Sequence, residues 1–397
     1  MAVSGLRHLA SGLLLVSGLF GCSASPSHEP PAEPSVMSSE ASLKLALSRR
    51  SLSHPIAQLS QLPAGVAGDN EVLIVGSPLE GRVLALSRLG GRALGELPAP
   101  PEGFILPFNM HQIGPRRVAV LDAGGLPSPS PFVPANPRIY EYSYTLTHSG
   151  GFHATLERTI QFDDQLIGFA EDIAVLGQGR YLLSDAVLGG IWVVESDGSV
   201  RPGIVPASSA SSDEIPELRM CPTMPLISVG GVPFLFSGST LPGVSPLAVR
   251  NGQVYFYSPC AEGLYSVPLA SFFDQRAPHE RAADIELVSP KPAGIQVEQL
   301  LGLAFNPAEP NEPWVYAADS LQLRIVRVHL KTGKRQVVAD NAELFNFPSS
   351  TAFMPPFLGK SSLVVLSNQQ HLTPLTNDAA SEDTFDLPFT AAQVWLF

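Results

Sequence analysis

Apolar and polar residues change places in short bursts along most of this chain. Residues 171–198, EDIAVLGQGRYLLSDAVLGGIWVVESDG, show it most clearly, with apolar runs at 173–176, 181–184 and 190–195 and turn chemistry at 177–180 and 186–189. Runs this short, bounded by Gly or Asp-Gly, predict strands joined by tight hairpins. One such meander leaves both faces open and cannot be stable alone. It needs neighbours of its own kind.

The formula recurs along the chain. A first unit uses 71–75, 81–87 and 92–97; a second uses 117–122, 138–144 and 156–162; the third is the stretch above, with 200–205 as a fourth strand. A fourth uses 247–249, 254–258 and 263–267, a fifth spans 301–333 and continues into 336–339, and a sixth uses 350–353, 362–367 and 393–397. Pro- and Ser-rich insertions at 124–137 and 206–223 account for the uneven spacing. A solenoid would repeat more regularly and a sandwich would not repeat. The pattern therefore predicts an all-β fold, a six-bladed β-propeller of four-stranded meanders. The sixth unit runs out of chain at Phe397, while 54–62 alternates ahead of the first. Pairing the two predicts that an N-terminal strand completes the last blade and closes the ring. Residues 41–53 carry no clear period.

Composition agrees: 38 Pro and 34 Gly in 397 residues, with only 15% charged, favour many short strands over long helices. The formal charge of -12 without a basic cluster excludes nucleic acid as a partner. We expect a monomer.

At the N-terminus, Arg7 and His8 precede an apolar run over 9–19 that is too short to span a membrane and reads as a secretory signal. It ends in Leu19-Phe20-Gly21-Cys22, which resembles the lipobox of bacterial lipoproteins. The resemblance implies a signal peptide over 1–21, a lipid on Cys22 and a place in the bacterial cell envelope, with the membrane as partner. A plain cleaved signal is the alternative. The Ser/Pro/Glu/Ala tract that follows predicts a disordered tether over 22–53, leaving 54–397 as the folded body. Cys221 and Cys260 then form an even pair in an oxidising compartment, as a disulfide or as two buried thiols. No His or third Cys stands nearby at zinc spacing.

Several blades resemble known ones. Residues 171–198 and 301–333 look like blades of the gluconolactonase and senescence-marker superfamily, as does FPSSTAFMP at 347–355. SPLAVRNGQVYFYSPCAEGLYSVPLASFF at 245–273 is closer to the Yellow and major royal jelly proteins. In gluconolactonase-like enzymes a divalent cation, often calcium, sits on the axis, held by Glu, Asn and Asp at the starts of the inner strands. Such an ion needs several oxygen ligands and would activate water or polarise a lactone carbonyl. The resemblance places those starts at Asn109 or His111, Glu171 and Asp172, Ser245, Leu301, and Ser349 and Ser350. Only Glu171 and Asp172 supply carboxylates, and Leu301 stands where the family's Asn-Gly-Leu-Ala-Phe pattern puts its Asn. Asp172 and Glu171 are therefore either metal ligands or caps on backbone N–H groups.

Other polar positions read as structural. Asp122, Asp185 and Asp319 each close a strand, where a carboxylate can accept from the following turn amides. His148 and His153 fall in a Gly-rich hairpin read as a solvated loop, and Trp192, Trp314 and Trp395 fall on strands. No nucleophile elbow, zinc-protease helix or nucleotide fingerprint occurs, so no catalytic residue is named. The expectation is a lipid-anchored envelope propeller that binds a small ligand or a protein across one face without catalysis. The alternative is a divalent-metal-dependent lactonase or esterase of the gluconolactonase type. A ligand carrier like the Yellow relatives is a third.

Overall fold

Small apolar residues begin most blades, and larger alternating ones follow. The computed structural model describes residues 53–125, 135–147, 150–162, 167–207, 215–219, 221, 227–234, 243–357, 360–373, 377 and 387–396. The leader, Cys22, the tether up to residue 52 and His148 lie outside them.

The first strand, β1 (Ser53–Leu59), belongs to the last blade. Blade 1 is β2 (Ala64–Gly68), β3 (Val72–Ser77), β4 (Arg82–Ser87) and β5 (Ala93–Glu96); blade 2 is β6 (Pro107–Gly114), β7 (Arg117–Asp122), β8 (Arg138–Leu146) and β9 (Phe152–Gln161). Blade 3 is β10 (Ala170–Gly177), β11 (Arg180–Asp185), β12 (Gly190–Val194) and β13 (Val200–Ile204). A two-stranded hairpin, β14 (Ile227–Val229) and β15 (Val232–Phe234), interrupts the series. Blade 4 is β16 (Leu247–Arg250), β17 (Gln253–Tyr257), β18 (Gly263–Pro268) and β19 (Glu286–Pro290); blade 5 is β20 (Leu300–Ala304), β21 (Trp314–Asp319), β22 (Arg324–His329) and β23 (Arg335–Asp340). Blade 6 is β24 (Pro348–Phe357), β25 (Lys360–Ser367) and β26 (Phe389–Trp395), with β1 as its outer strand. The six-bladed, all-β propeller expected from the repeat is thus present, and all of its pairings are antiparallel.

The core lies between blades rather than within one. Ala119, Leu121 and Ile139 of blade 2 pack with Ile173, Tyr181 and Leu183 of blade 3, and Leu182 and Val193 of blade 3 pack with Leu247 and Phe256 of blade 4. Each sheet is apolar on both faces for this reason. Trp192, Trp314 and Trp395 lie on β12, β21 and β26, as the sequence suggested.

Closure follows the expected pairing: β26 lies between β25 and β1, with Ser53 opposite Val394 and Leu59 opposite Phe389. Arg88, 2% exposed, adds a tie across the seam between blades 1 and 6. Its guanidinium donates to Asn70 Oδ1 in blade 1 and to Pro355 O and Ser362 Oγ in blade 6.

The two faces of the ring differ. Inner strands begin on one face, the leading face, and end on the other, the trailing face. The long connections after β7, β13 and β25 leave from and return to strand ends on the leading face. Within the connection 205–246, Phe234 stacks edge-on against Phe347, and Val229 packs with Leu321 and Leu323, so the β14–β15 hairpin sits over blades 5 and 6. Cys221 forms a disulfide with Cys260 in the turn of blade 4, Cα atoms 5.2 Å apart. This resolves the choice between disulfide and free thiols.

Two readings are corrected, for His153 and Asp319, and one is extended. His153 lies in the outer strand β9 opposite Thr145, not in a loop. Asp122 and Asp185 do accept from turn amides (Gly124; Val187 and Leu188) but also clamp the incoming chain through Ile105 and Leu106, and Gly168 and Phe169. Asp319 instead pairs with Arg324 at 2.9 Å, its cross-strand partner, and Oδ1 has no hydrogen-bond partner.

Removing residues 393–397 takes away the end of β26, including Gln393 and Val394, which pair with both β1 and β25. We expect this truncation to cost more than about 3 kcal/mol. Circular dichroism melting should show an early or non-cooperative transition, and an unchanged cooperative melt would contradict the closure.

Candidate functional site

In four inner strands the ladder slips at the same place: between Ala64 and Val66, Pro107 and Asn109, Ala170 and Asp172, and Pro348 and Ser350. A bulge of this kind bends the strand and re-aims the side chains around it. Glu171 is the extra residue in blade 3, and Asp172 follows it.

Asp172 ties three blades together. Its Oδ1 accepts from Asn109 Nδ2 of blade 2 at 2.8 Å and from the Ile173 amide at 2.8 Å. His111 Nε2 of blade 2 lies 2.8 Å from the same oxygen, which places its proton on that nitrogen. Oδ2 accepts from the Leu247 amide of blade 4 at 2.8 Å. Ser184 Oγ accepts from the Asp172 amide and donates to Ser245 O at 2.8 Å. Ser245 Oγ in turn donates to Glu171 Oε1 at 2.6 Å. Glu171 Oε2 is buried with no hydrogen-bond partner. Burial pushes the Glu171 carboxyl up from 4.5 to about 7; the Ser245 hydrogen bond opposes this, and the neighbouring Asp172 charge adds to it.

The sequence therefore found the two carboxylates, and the structure brings them together with Asn109, His111 and Ser245. It does not bring Leu301 to them. Leu301 pairs with Ala318 and is buried in the core beside Tyr316 and Leu363. Blade 5 meets blade 6 through the Gly302 backbone, at φ +59°, where a Cβ would stand 2.5 Å from Thr351 N. Blade 1 does the same through Gly65, whose Cβ would stand 2.5 Å from Asn109 Cα. The side-chain network gathered by Asp172 thus spans the arc of blades 2 to 4. Among the described residues no group of three or more His, Cys, Asp or Glu is placed to hold a metal ion.

The channel itself is a cavity of about 530 Å³ walled by all six inner strands and opening toward their trailing ends, since Gly68, Gln112, Asn251 and Pro307 line it. Apolar groups dominate, among them Val66, Met110, Val175, Leu303 and Phe353. His111, Gln112, Arg250, Asn251, Asn306 and Thr351 supply the polar part, and no Asp or Glu is included. His111 joins the two regions: it lines the cavity and holds Asp172. Sequence reading missed Arg250, Asn306 and Gln112, because each stands at or beside a turn, where a polar residue ordinarily reads as solvated.

No protein-family model matches this sequence, and no curated protein matches it. Solved structures do. The Malassezia sympodialis allergen Mala s 1 superposes with a TM-score of 0.57 at 10% identity, over 86% of this chain and 95% of that one. The fold is shared. A regucalcin from Agrobacterium tumefaciens, a calcium-binding protein, gives a TM-score of 0.50 at 13% identity over 86% of this chain and 94% of its own. A luciferin-regenerating enzyme gives 0.50 at 13% identity over the same shares. At these identities the propeller is what is held in common.

The calcium implied by the resemblance was weighed against the donors present. Both Asp172 oxygens already accept hydrogen bonds, Asn109 Oδ1 accepts from the Met110 amide, and of the strand-start oxygens only Glu171 Oε2 and Ser349 Oγ are buried without a partner among the described residues. A calcium shell takes six to eight oxygens. These residues as arranged do not fit one.

The raised Glu171 carboxyl has a definite sign. Its folded value, about 7, lies above its ordinary 4.5, so the folded state holds the proton more tightly and stability falls as pH rises from 4.5 through 7. Urea titrations should show the wild type losing up to about 3 kcal/mol across that window relative to Glu171→Gln. Parallel pH profiles for the two proteins would refute the assignment.

Proposed function

We propose that this propeller binds a small molecule in its central channel without turning it over, and that a lipid on Cys22 holds it at the bacterial cell envelope. One observation carries the reading: a channel of about 530 Å³ is lined mostly by apolar residues, with a few polar groups and no carboxylate, while Asp172, which His111 links to the channel, is spent on hydrogen bonds. Cavities of this size and lining suit drug-sized ligands. The N-terminal sequence supports the envelope location. The likeness to regucalcin and the luciferin-regenerating enzyme supports the propeller frame alone.

A second reading, the metal-dependent lactonase, draws on one observation, the unpartnered Oε2 of buried Glu171. A cation there would need Asp172 to give up Asn109 and Leu247, leaving buried donors unpaired at a cost of about 1–3 kcal/mol each.

Calorimetry with calcium and with EDTA should give the same melting temperature, and a panel of lactones should show no turnover. Calcium-dependent stabilisation together with lactone hydrolysis, both lost in Asp172→Asn, would overturn the binding reading in favour of the hydrolase.

A further inference from the structure

The connection between β20 and β21, residues 305–313, is the longest of the six that join first to second strands, and it stands at the open mouth of the channel. Arg250, at the end of β16 in the neighbouring blade, holds it. Nε donates to Pro310 O at 3.1 Å and Nη2 to Glu309 O at 2.5 Å. The guanidinium also lies over the Phe305 ring, 5.0 Å from its centroid, and Tyr255 meets the same ring edge-on at 5.3 Å. Phe305, Asn306, Pro307 and Pro310 of this loop all face the cavity.

The charge of Arg250 is unbalanced. Its hydrogen bonds go to carbonyls, no Asp or Glu pairs with it among the described residues, and Nη1 is buried without any partner. Many of the other guanidinium groups do have a carboxylate, among them Arg82, Arg116, Arg117, Arg138, Arg158, Arg276, Arg324 and Arg335. In a chain of net charge -12, a cation left without a counter-ion beside a carboxylate-free apolar channel is a local inversion of the protein's field.

We propose that the channel ligand is an apolar anion, an acidic group on a compact hydrocarbon or aromatic body, entering from the trailing face with its charge toward Arg250 and its body toward Val66, Val175 and Phe353. The inference rests on the channel-binding reading and adds the ligand's charge, its orientation and the residue that selects it. A unit negative charge several ångströms from the guanidinium in a partly desolvated mouth gains about a factor of ten or more in affinity. Arg250 has a second task, since the same group fixes the loop that forms one wall.

The test uses two fluorescent probes that differ by one sulfonate: 1-anilinonaphthalene-8-sulfonate and N-phenyl-1-naphthylamine. The wild type should bind the sulfonate about tenfold more tightly than the neutral probe. Arg250→Gln should abolish that preference while keeping a cooperative melt, and Arg250→Lys, which keeps the charge but loses the two-carbonyl grip, should retain part of it. Ala304→Trp, which fills the channel, should remove binding of both. Equal affinities in the wild type, or a preference that survives Arg250→Gln, would overturn the assignment of charge while leaving channel binding intact. Failure of both probes to bind, or binding unchanged in Ala304→Trp, would overturn channel binding itself.

Discussion

The pairing of β26 with β1 is the contact on which the remaining geometry depends. Each blade is apolar on both faces and is covered only by its neighbours, so the ring has no stable open form in which five blades keep their cores and one does not. Closure by a strand from the far end of the described chain makes the channel's walls a property of the whole ring. Arg88 reinforces the same seam from within, with its charge held by an amide oxygen, a carbonyl and a hydroxyl. Burying an arginine this way is affordable only because several acceptors converge on it.

Around that ring the polar interior is lopsided. Blades 1 and 5 approach their neighbours through glycine backbone, whereas blades 2, 3 and 4 are joined by Asp172 and the side chains it gathers. The result is a buried hydrogen-bonded tie on one side of the axis and an apolar channel below it. Hydrogen-bonded networks of this kind fix position, with Glu171 Oε2 as the buried atom that this one leaves unpaired. In the proposed reading, binding chemistry is left to the channel mouth, where Arg250 has no carboxylate paired with it among the described residues.

The sequence made the repeat legible because hairpin punctuation and short apolar runs are local signals. Closure was legible because a strand at each end lacked a partner. What it hid has physical causes. The inner strand Ala64–Gly68, AGVAG, is so rich in glycine that it reads as a turn; its glycine is needed because β6 passes within van der Waals distance. Strand β19 and the β14–β15 hairpin carry weak alternation and were missed for that reason. Glu171, Asp172, Asn109, His111 and Ser245 were all named as strand starts; what stayed hidden is that they bond one another, across separations only the closed ring can bridge. Arg250 looked like a solvated turn residue, and its missing counter-ion is visible only in three dimensions.

The connection 205–246 bears on how the protein would come apart. It leaves blade 3, is bonded covalently to the turn of blade 4 through Cys221 and Cys260, and lays its hairpin on blades 5 and 6, where Phe234 meets Phe347 and Asn377 Nδ2 donates to Pro233 O. Once the seam parts, the natural route of unfolding is for blade 6 to peel outward, and that route now requires shedding a strap anchored two blades away. The strap thus acts on the rate of opening more than on the balance between folded and unfolded forms. Wherever a protein meets proteases, lifetime rather than equilibrium stability is the quantity that decides survival.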